Sequence, residues 1–202
     1  MGAPEKVRKL TDAEYLANER AAEFKSEFYD GEMFAMAGGT VMHSLIATNL
    51  AIEFGNKLKG GSCLPFNSDL RLKVEAGVLF TYPDLSVIRG EPRFANDSDD
   101  TVTNPTLLAE VLSDSTESYD RGTKFDHYKK IPELREYLLI RQKEPCVEQF
   151  IRQSGGDWLL RQATGLEALV VLPSLGVTIA LSQIYANVKF PPASMRSPTP
   201  RR

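Results

Sequence analysis

Thr106-Leu107-Leu108-Ala109-Glu110-Val111-Leu112 is the stretch on which the reading of this chain turns. It is a short, nearly continuous apolar run without glycine or proline, the pattern of a central strand buried on both faces. Its one charge is Glu110. An ionised carboxylate among such neighbours is very costly unless it is paired with a cation, bound to a metal, or set at a strand end facing a cleft. Ser113 to Thr116 supplies turn and cap chemistry. Residues 118–130, SYDRGTKFDHYKK, then read as a helix closed by Pro132.

Working upstream, Leu85-Ser86-Val87-Ile88 is a second apolar strand, and Tyr82-Pro83-Asp84 leads into it. Taken alone, an Asp after a Pro is usually a turn residue, and a lone Glu in an apolar strand more often marks an edge or a salt bridge. Together, on adjacent strand ends, they form a hard-oxygen pair suited to Mg²⁺ or Mn²⁺. Side chains alternate along a strand, so Glu110 and position 112 share a face, and position 112 is Leu. In the helix that follows, Asp120 and Lys124 are four apart and share a face. That helix starts within a few residues of the strand end, so Lys124 can project back over Glu110. The alternative is a solvated Asp120–Lys124 pair of little energetic weight.

The rest of the chain organises around this centre. Residues 11–22 read as a helix with Thr11 as cap and Glu14 completing a capping box. Aromatic residues flank Asp30-Gly31, which predicts a β-hairpin, and Gly38-Gly39 breaks it. Residues 41–58 carry the strongest helical period: Ile46, Leu50, Phe54 and Leu58, with Leu45 and Ile52 beside them. Gly60-Gly61 ends that helix, and His43 sits in its first turn. Asp69 to Val74 alternates as a half-buried strand, Glu75-Ala76-Gly77 turns the chain, and 90–105 reads as a loop. Glu136 to Ile140, Cys146 to Arg152, Trp158 to Ala163 and Val177 to Leu181 are further strands, with Gly155-Gly156-Asp157 turning one hairpin. This pattern predicts an α/β fold: a mixed sheet flanked by helices, with C-terminal β-hairpins. Residues 1–10 read as a flexible N-terminus, 11–190 as a single domain, and the proline-rich 191–202 as a disordered tail.

Composition bounds the function. At 202 residues, the chain is long enough for one domain with its own core. No apolar run approaches the roughly 18 residues of a membrane span, and the basic N-terminus leads into no apolar segment of the secretory type. The formal net charge of −3 counts against a protein that coats DNA by bulk phosphate attraction, and leaves room for an enzyme with a local basic patch. Cys63 and Cys146 have no metal-ligand spacing and form no disulfide framework, which fits buried thiols in a reducing cytoplasm. With His43 and His127 the only histidines, a zinc hydrolase is disfavoured.

Lys25-Ser26-Glu27-Phe28-Tyr29-Asp30-Gly31-Glu32, Ala35-Met36-Ala37-Gly38-Gly39, His43, Tyr82-Pro83-Asp84, Glu110-Val111-Leu112-Ser113, Ser115-Thr116, Asp120-Arg121-Gly122 with Lys124, and Glu136-Tyr137 occur in this order. The series resembles that of the Uma-two family of restriction endonucleases, within the PD-(D/E)xK nuclease superfamily. The likeness runs from about Thr11 to about Ile140, and weakens in the closing strands. It implies a restriction-endonuclease-like α/β core. It also implies that Asp84 and Glu110 ligate Mg²⁺, for which Mn²⁺ can substitute, with help from the Val111 main-chain carbonyl. Many nucleases of this kind carry a lysine two residues after the glutamate. Here Leu112 stands there, and the resemblance transfers the role to Lys124. Glu27 would add a carboxylate near the metal, with His43, Asp120 and Tyr128 behind the first ligands.

The expected chemistry is metal-assisted hydrolysis of DNA phosphodiesters: the cation polarises the phosphate and acidifies water, and Lys124 orients water or offsets developing charge. Arg71, Lys73, Arg121, Lys129 and Lys130 are candidate DNA contacts, each also readable as a plain surface charge. The resemblance implies a cytoplasmic homodimer acting on DNA, with no membrane and no organic cofactor. The competing expectation is a nucleic-acid-binding or interaction module that retains the nuclease fold without turnover, or a nuclease that needs a partner.

Overall fold

The computed structural model describes residues 8–74, 79–95 and 98–190. The expected flexible N-terminus lies mostly, and the expected disordered tail wholly, outside these residues, as does the turn expected at Glu75-Ala76-Gly77.

The central run forms strand β8 (Leu107–Leu112), every residue of which is buried. It sits inside a six-stranded sheet of order β11-β10-β9-β8-β6-β3. The neighbours are β3 (Cys63–Asn67), β6 (Leu85–Arg89), β9 (Glu136–Arg141), β10 (Cys146–Arg152) and β11 (Trp158–Thr164). β9 runs parallel to β8, while β6 runs antiparallel. Pro65 falls in β3, at the sheet edge, where a missing N–H costs no ladder bond.

β8 is apolar on both sides because both sides are covered. Leu107, Ala109 and Val111 pack with Ile46, Leu50 and Phe54 of helix α2 (Val41–Leu58). Leu108 and Leu112 join Phe125, Tyr128, Tyr137 and Leu139 on the opposite face. Glu110 belongs to this second face and is 5% exposed. The four-residue period in α2 holds, yet Ile52 is half exposed and turns away from the core toward the cleft described below.

A second sheet, of order β2-β1-β5-β4-β7, was not separable in the sequence from the first. Its members are β1 (Ser26–Tyr29), β2 (Glu32–Ala35), β4 (Arg71–Val74), β5 (Leu79–Thr81) and β7 (Thr101–Val102). Asp30 and Gly31 turn the β1–β2 hairpin with φ of 45° and 90°, a pair of left-handed residues that matches strand twist. Helix α1 (Asp12–Ala21) covers one face of this sheet through Tyr15 and Leu16 on Phe28 and Phe80, and the capping box of Thr11 with Glu14 is formed. The other face, with Leu72, Val74 and Leu79, merges into the core around Tyr128. β7 falls within the stretch expected to be loop, and pairs parallel to β4.

Helix α3 spans 117–128 and differs from expectation at its centre. Residues Asp120–Lys124 form a π-turn between the α-helical Glu117–Tyr119 and Phe125–Tyr128. Such wide turns recur at functional sites, because they re-aim side chains along a helix. The closing segment holds the expected hairpin β10–β11 and a further one, β12 (Leu169–Leu172) with β13 (Val177–Ala180), before helix α4 (Leu181–Ile184). The sequence reading missed β12 and ran β13 one residue into α4. Cys63 and Cys146 are buried free thiols. No helix among the described residues is long and apolar enough to cross a membrane.

Candidate active site

β8 ends at the floor of a cleft of about 1140 Å³. Its walls are the first turns of α2, the β2 strand with the 36–39 link, and the turn from Ser113 to Thr116. Glu27 from β1, His43 from α2, Asp84 just before β6, Glu110 from β8, and Asp120 and Lys124 from one helix all reach this cleft.

β6 pairs with β8 from Leu85 opposite Ala109. One residue earlier, the Asp84 carboxylate takes the place of a ladder partner: its Oδ2 accepts the Val111 N–H at 2.8 Å. The same oxygen lies 3.2 Å from His43 Nε2. This contact raises the imidazole pKa, with burial opposing it and the Val111 main chain also contributing. Gly39 makes room for that ring, since a Cβ there would come within 2.9 Å of His43 Nδ1. His43 thus touches the two groups, Asp84 and Val111, that were expected to face a metal.

Glu110 is held from the other side. Tyr128 OH donates to its Oε1 at 2.8 Å, and Lys124 Nζ lies 2.9 Å from the same atom. Lys124 is also 3.1 Å from Glu27 Oε1 and 3.5 Å from Asp120 Oδ1. The expected projection of Lys124 over Glu110 is what the π-turn produces. The solvated Asp120–Lys124 pair is not what is found: Lys124 is 5% and Asp120 3% exposed. Burial pushes the Glu110 carboxyl up to about 8; Lys124 opposes the rise, and Asp120 and Asp84 add to it. Burial alone would neutralise Lys124, but Glu110, Glu27 and Asp120 together hold its pKa well above the ordinary value. The amine is therefore a firm ammonium: a hydrogen-bond donor and fixed positive charge, not a proton acceptor.

Three contributors went unnoticed in the sequence. Thr81, on β5, donates its hydroxyl to Glu27. Tyr119 sits with its ring 5.8 Å from the Lys124 ammonium. Gln142 donates to the Leu112 carbonyl and accepts from Thr40, tying the end of β8 to the cap of α2, both at 2.8 Å. Tyr119 adjoins Asp120, and Thr81 precedes the Tyr82-Pro83-Asp84 run, so proximity to the motifs was the one available signal.

The five cations expected to contact DNA are not brought to the cleft. Arg71 is 4% exposed, pairs with Asp100, and faces the rings of Tyr15 and Tyr82; of the half-buried strand expected at 69–74, Arg71–Val74 forms and is almost fully buried, while Asp69 is exposed. Lys73 pairs with Asp12, and Lys129 with Asp126. Arg121 joins Glu117 on its own helix to Glu148 on β10. Lys130 lies on the same helix end, away from the cleft lining. Among the described residues, Lys25 and Lys124 are the only lysines or arginines that line it.

Arg121 is therefore a strut for the π-turn that aims Lys124. Arg121→Ala is expected to lower stability by about 1–3 kcal/mol, because Glu148 is 7% exposed and would keep only Arg141. A thermal melt checks this. A phosphate-contact role would leave the melting temperature unchanged and weaken nucleic-acid binding alone.

Glu27, Asp84, Glu110 and Asp120 bring hard carboxyl oxygens around one ammonium and one imidazole, the donor type that Mg²⁺ or Mn²⁺ prefers. No group of three or more His, Cys, Asp or Glu side chains among the described residues is placed to hold a metal ion by itself.

The two-sheet α/β core with carboxylates and lysine at strand and helix ends defines a nuclease-like fold. A crystal structure from Anabaena variabilis, of a protein described as a "putative nuclease belonging to DUF820", superposes with a TM-score of 0.70 at 20% identity, covering 88% of this chain and 98% of that one. The model of the family Uma2, described as "Putative restriction endonuclease", matches residues 12–182, and the chain belongs to that family. Two Synechocystis relatives are similar over most of their length. Uncharacterized protein slr1290 is 38% identical over 182 residues, covering 90% of this chain and 94% of the relative. Uncharacterized protein sll1609 is 40% identical over 159 residues, covering 79% and 90%.

Proposed function

We propose that the cleft hydrolyses DNA phosphodiester bonds with a divalent cation, Mg²⁺ or Mn²⁺, as cofactor. The observation that carries this reading is the reach of Lys124 from a separate helix to both Glu110 and Glu27, beside an Asp84 fixed to the next residue of the same strand. Asp84, Glu110 and the Val111 carbonyl would hold the cation. When bound, it would supply Lewis acidity toward the scissile phosphate and an attacking water.

The chain's own residues do the rest. Lys124, kept charged by three carboxylates, donates to a phosphate oxygen and offsets the negative charge gained in the transition state. Glu27, with an oxygen shared between Thr81 and Lys124, fixes the ammonium's direction. Tyr128 orients Glu110 through its hydroxyl. His43 holds Asp84, and can give up that contact as the carboxylate engages a cation.

The test is incubation of the full chain with supercoiled plasmid in Mg²⁺, in Mn²⁺ and without metal. Nicking that needs the metal and disappears in Glu110→Gln is the expected result. One observation favours a second reading, a binding module or partner-dependent nuclease: the scarcity of cations in the cleft lining. Plasmid left intact by a well-folded wild type in both metals would select it.

A further inference from the structure

A second pocket, of about 530 Å³, opens at the other end of the same strands. Thr106, just before β8, and Glu136, the first residue of β9, line it, whereas Glu110 and Leu112 lie toward the cleft end of β8. β8 and β9 run parallel, so the two sites are separated by the length of a six-residue strand, roughly 15–20 Å.

The pocket gathers three arginines: Arg89 from the end of β6, Arg135 before β9, and Arg152 from the end of β10. The described residues contain ten arginines. Arg8, Arg20, Arg71, Arg93, Arg121 and Arg141 each have a carboxylate within ion-pairing distance. Arg89, Arg135 and Arg152 have none among the described residues; nor does the exposed Arg161 of β11, which lies outside this pocket. Their hydrogen bonds go to main-chain carbonyls: Arg89 to Ser174, Arg135 to Pro132 and Leu134, Arg152 to Pro132 and Lys129. Carbonyls anchor a guanidinium but do not neutralise it.

The carboxylates nearby are already engaged. Glu133 pairs with Arg93, and Glu136 is fully buried, accepting from Gln149 and from the Ser174 N–H. Two polar atoms of the lining residues, Arg152 Nε and Ser174 Oγ, are buried without a hydrogen-bond partner. Burial and then the charge of Arg135 depress the Arg152 pKa, and Glu133 opposes them only in part, as expected for cations crowded together. Each guanidinium carries five donors in a planar fork, so Arg89 and Arg135 keep Nε and a terminal nitrogen for a ligand.

We infer that this pocket binds a phosphate group, held between Arg89 and Arg135 with Arg152 beneath. Arginine forks match phosphate oxygens in pairs. The volume exceeds a bare phosphate and suits one nucleotide, with Ile151 and Pro173 as apolar floor. The site does not depend on the cleft being catalytic. The phosphate can belong to a free nucleotide or to a nucleic-acid strand.

Calorimetric titration of the full chain decides this at fixed ionic strength, with inorganic phosphate, adenosine 5′-monophosphate, adenosine, and a short oligodeoxynucleotide without terminal phosphates. Saturable binding of at least one phosphate-bearing probe, with none of adenosine, is the expected result. Arg89→Gln and Arg135→Gln, both at exposed positions, should each weaken it about tenfold or more. Lys124→Ala should leave it unchanged. Tightest binding of the monophosphate assigns the site to a free nucleotide, and tightest binding of the oligonucleotide assigns it to a strand. Absence of saturable binding by every phosphate probe overturns the inference. So does binding that survives in both well-folded arginine variants.

Discussion

Lys124→Ala is expected to reduce metal-dependent cleavage by about 10²–10³ or more, the loss typical of removing one donor from a developing oxyanion. It is also expected to change how stability depends on pH. In the wild type the ammonium faces Glu110, Glu27 and Asp120. Without it, the buried Glu110 and Asp120 carboxyls lose the positive charge that opposes their raised pKa values, and the values climb further. An acid whose pKa is higher folded than unfolded binds more protons in the folded state. Its contribution is therefore favourable at low pH and is lost as pH rises from the unfolded value toward the folded one. Glu110 already sits at about 8 with Lys124 present. The variant should thus match the wild type near pH 5 and fall progressively behind it up to pH 9, by about 3–5 kcal/mol at most.

Thermal melts across that range give the comparison. A parallel pair of curves would mean that the ammonium is not the counter-charge of the cluster. The double variant Glu110→Gln with Lys124→Met separates fold from chemistry. Removing both members of a buried pair is often neutral, so this protein should recover stability near pH 8 while remaining inactive.

What the sequence made legible follows from the range of each interaction. Helix α1 was readable to its capping box because Thr11 and Glu14 are three residues apart. The hairpin at Asp30-Gly31 was readable because two adjacent residues set its geometry. β8 was readable because double-sided burial writes itself into seven consecutive residues. The carboxylates and Lys124 followed from the same stretch together with the family likeness. The fates of the cations were not readable. Arg71 pairs with Asp100, Lys73 with Asp12, and Arg121 with Glu148, across 29, 61 and 27 positions, and no local pattern marks such pairs. The second sheet escaped for the same reason, since β4 pairs in parallel with a two-residue β7 inside an apparent loop. The π-turn escaped because Asp120 and Lys124 share a face in either helical geometry.

Asp84→Asn bears on the remaining question, whether a cation belongs in this cleft. The substitution is close to isosteric. The amide oxygen can still accept the Val111 N–H at the place where β6 hands over to Asp84, so the ladder at the end of β8 should persist and the fold should lose no more than about 1 kcal/mol. What disappears is one negative charge, and with it half of the oxygen pair that would hold Mg²⁺ or Mn²⁺. For the wild type, a cation at one hundred times its dissociation constant adds about 2.7 kcal/mol, which raises the melting temperature of a protein this size by roughly 5–10 °C. In Asp84→Asn that rise should vanish together with plasmid nicking. A rise of equal size in the variant would place the cation away from Asp84 and undo the proposed assignment. No rise in either protein, with the plasmid left intact by both, would leave a nuclease fold that binds without cutting. The buried carboxylates would then be read as the counter-charges of Lys124, and their function as structural.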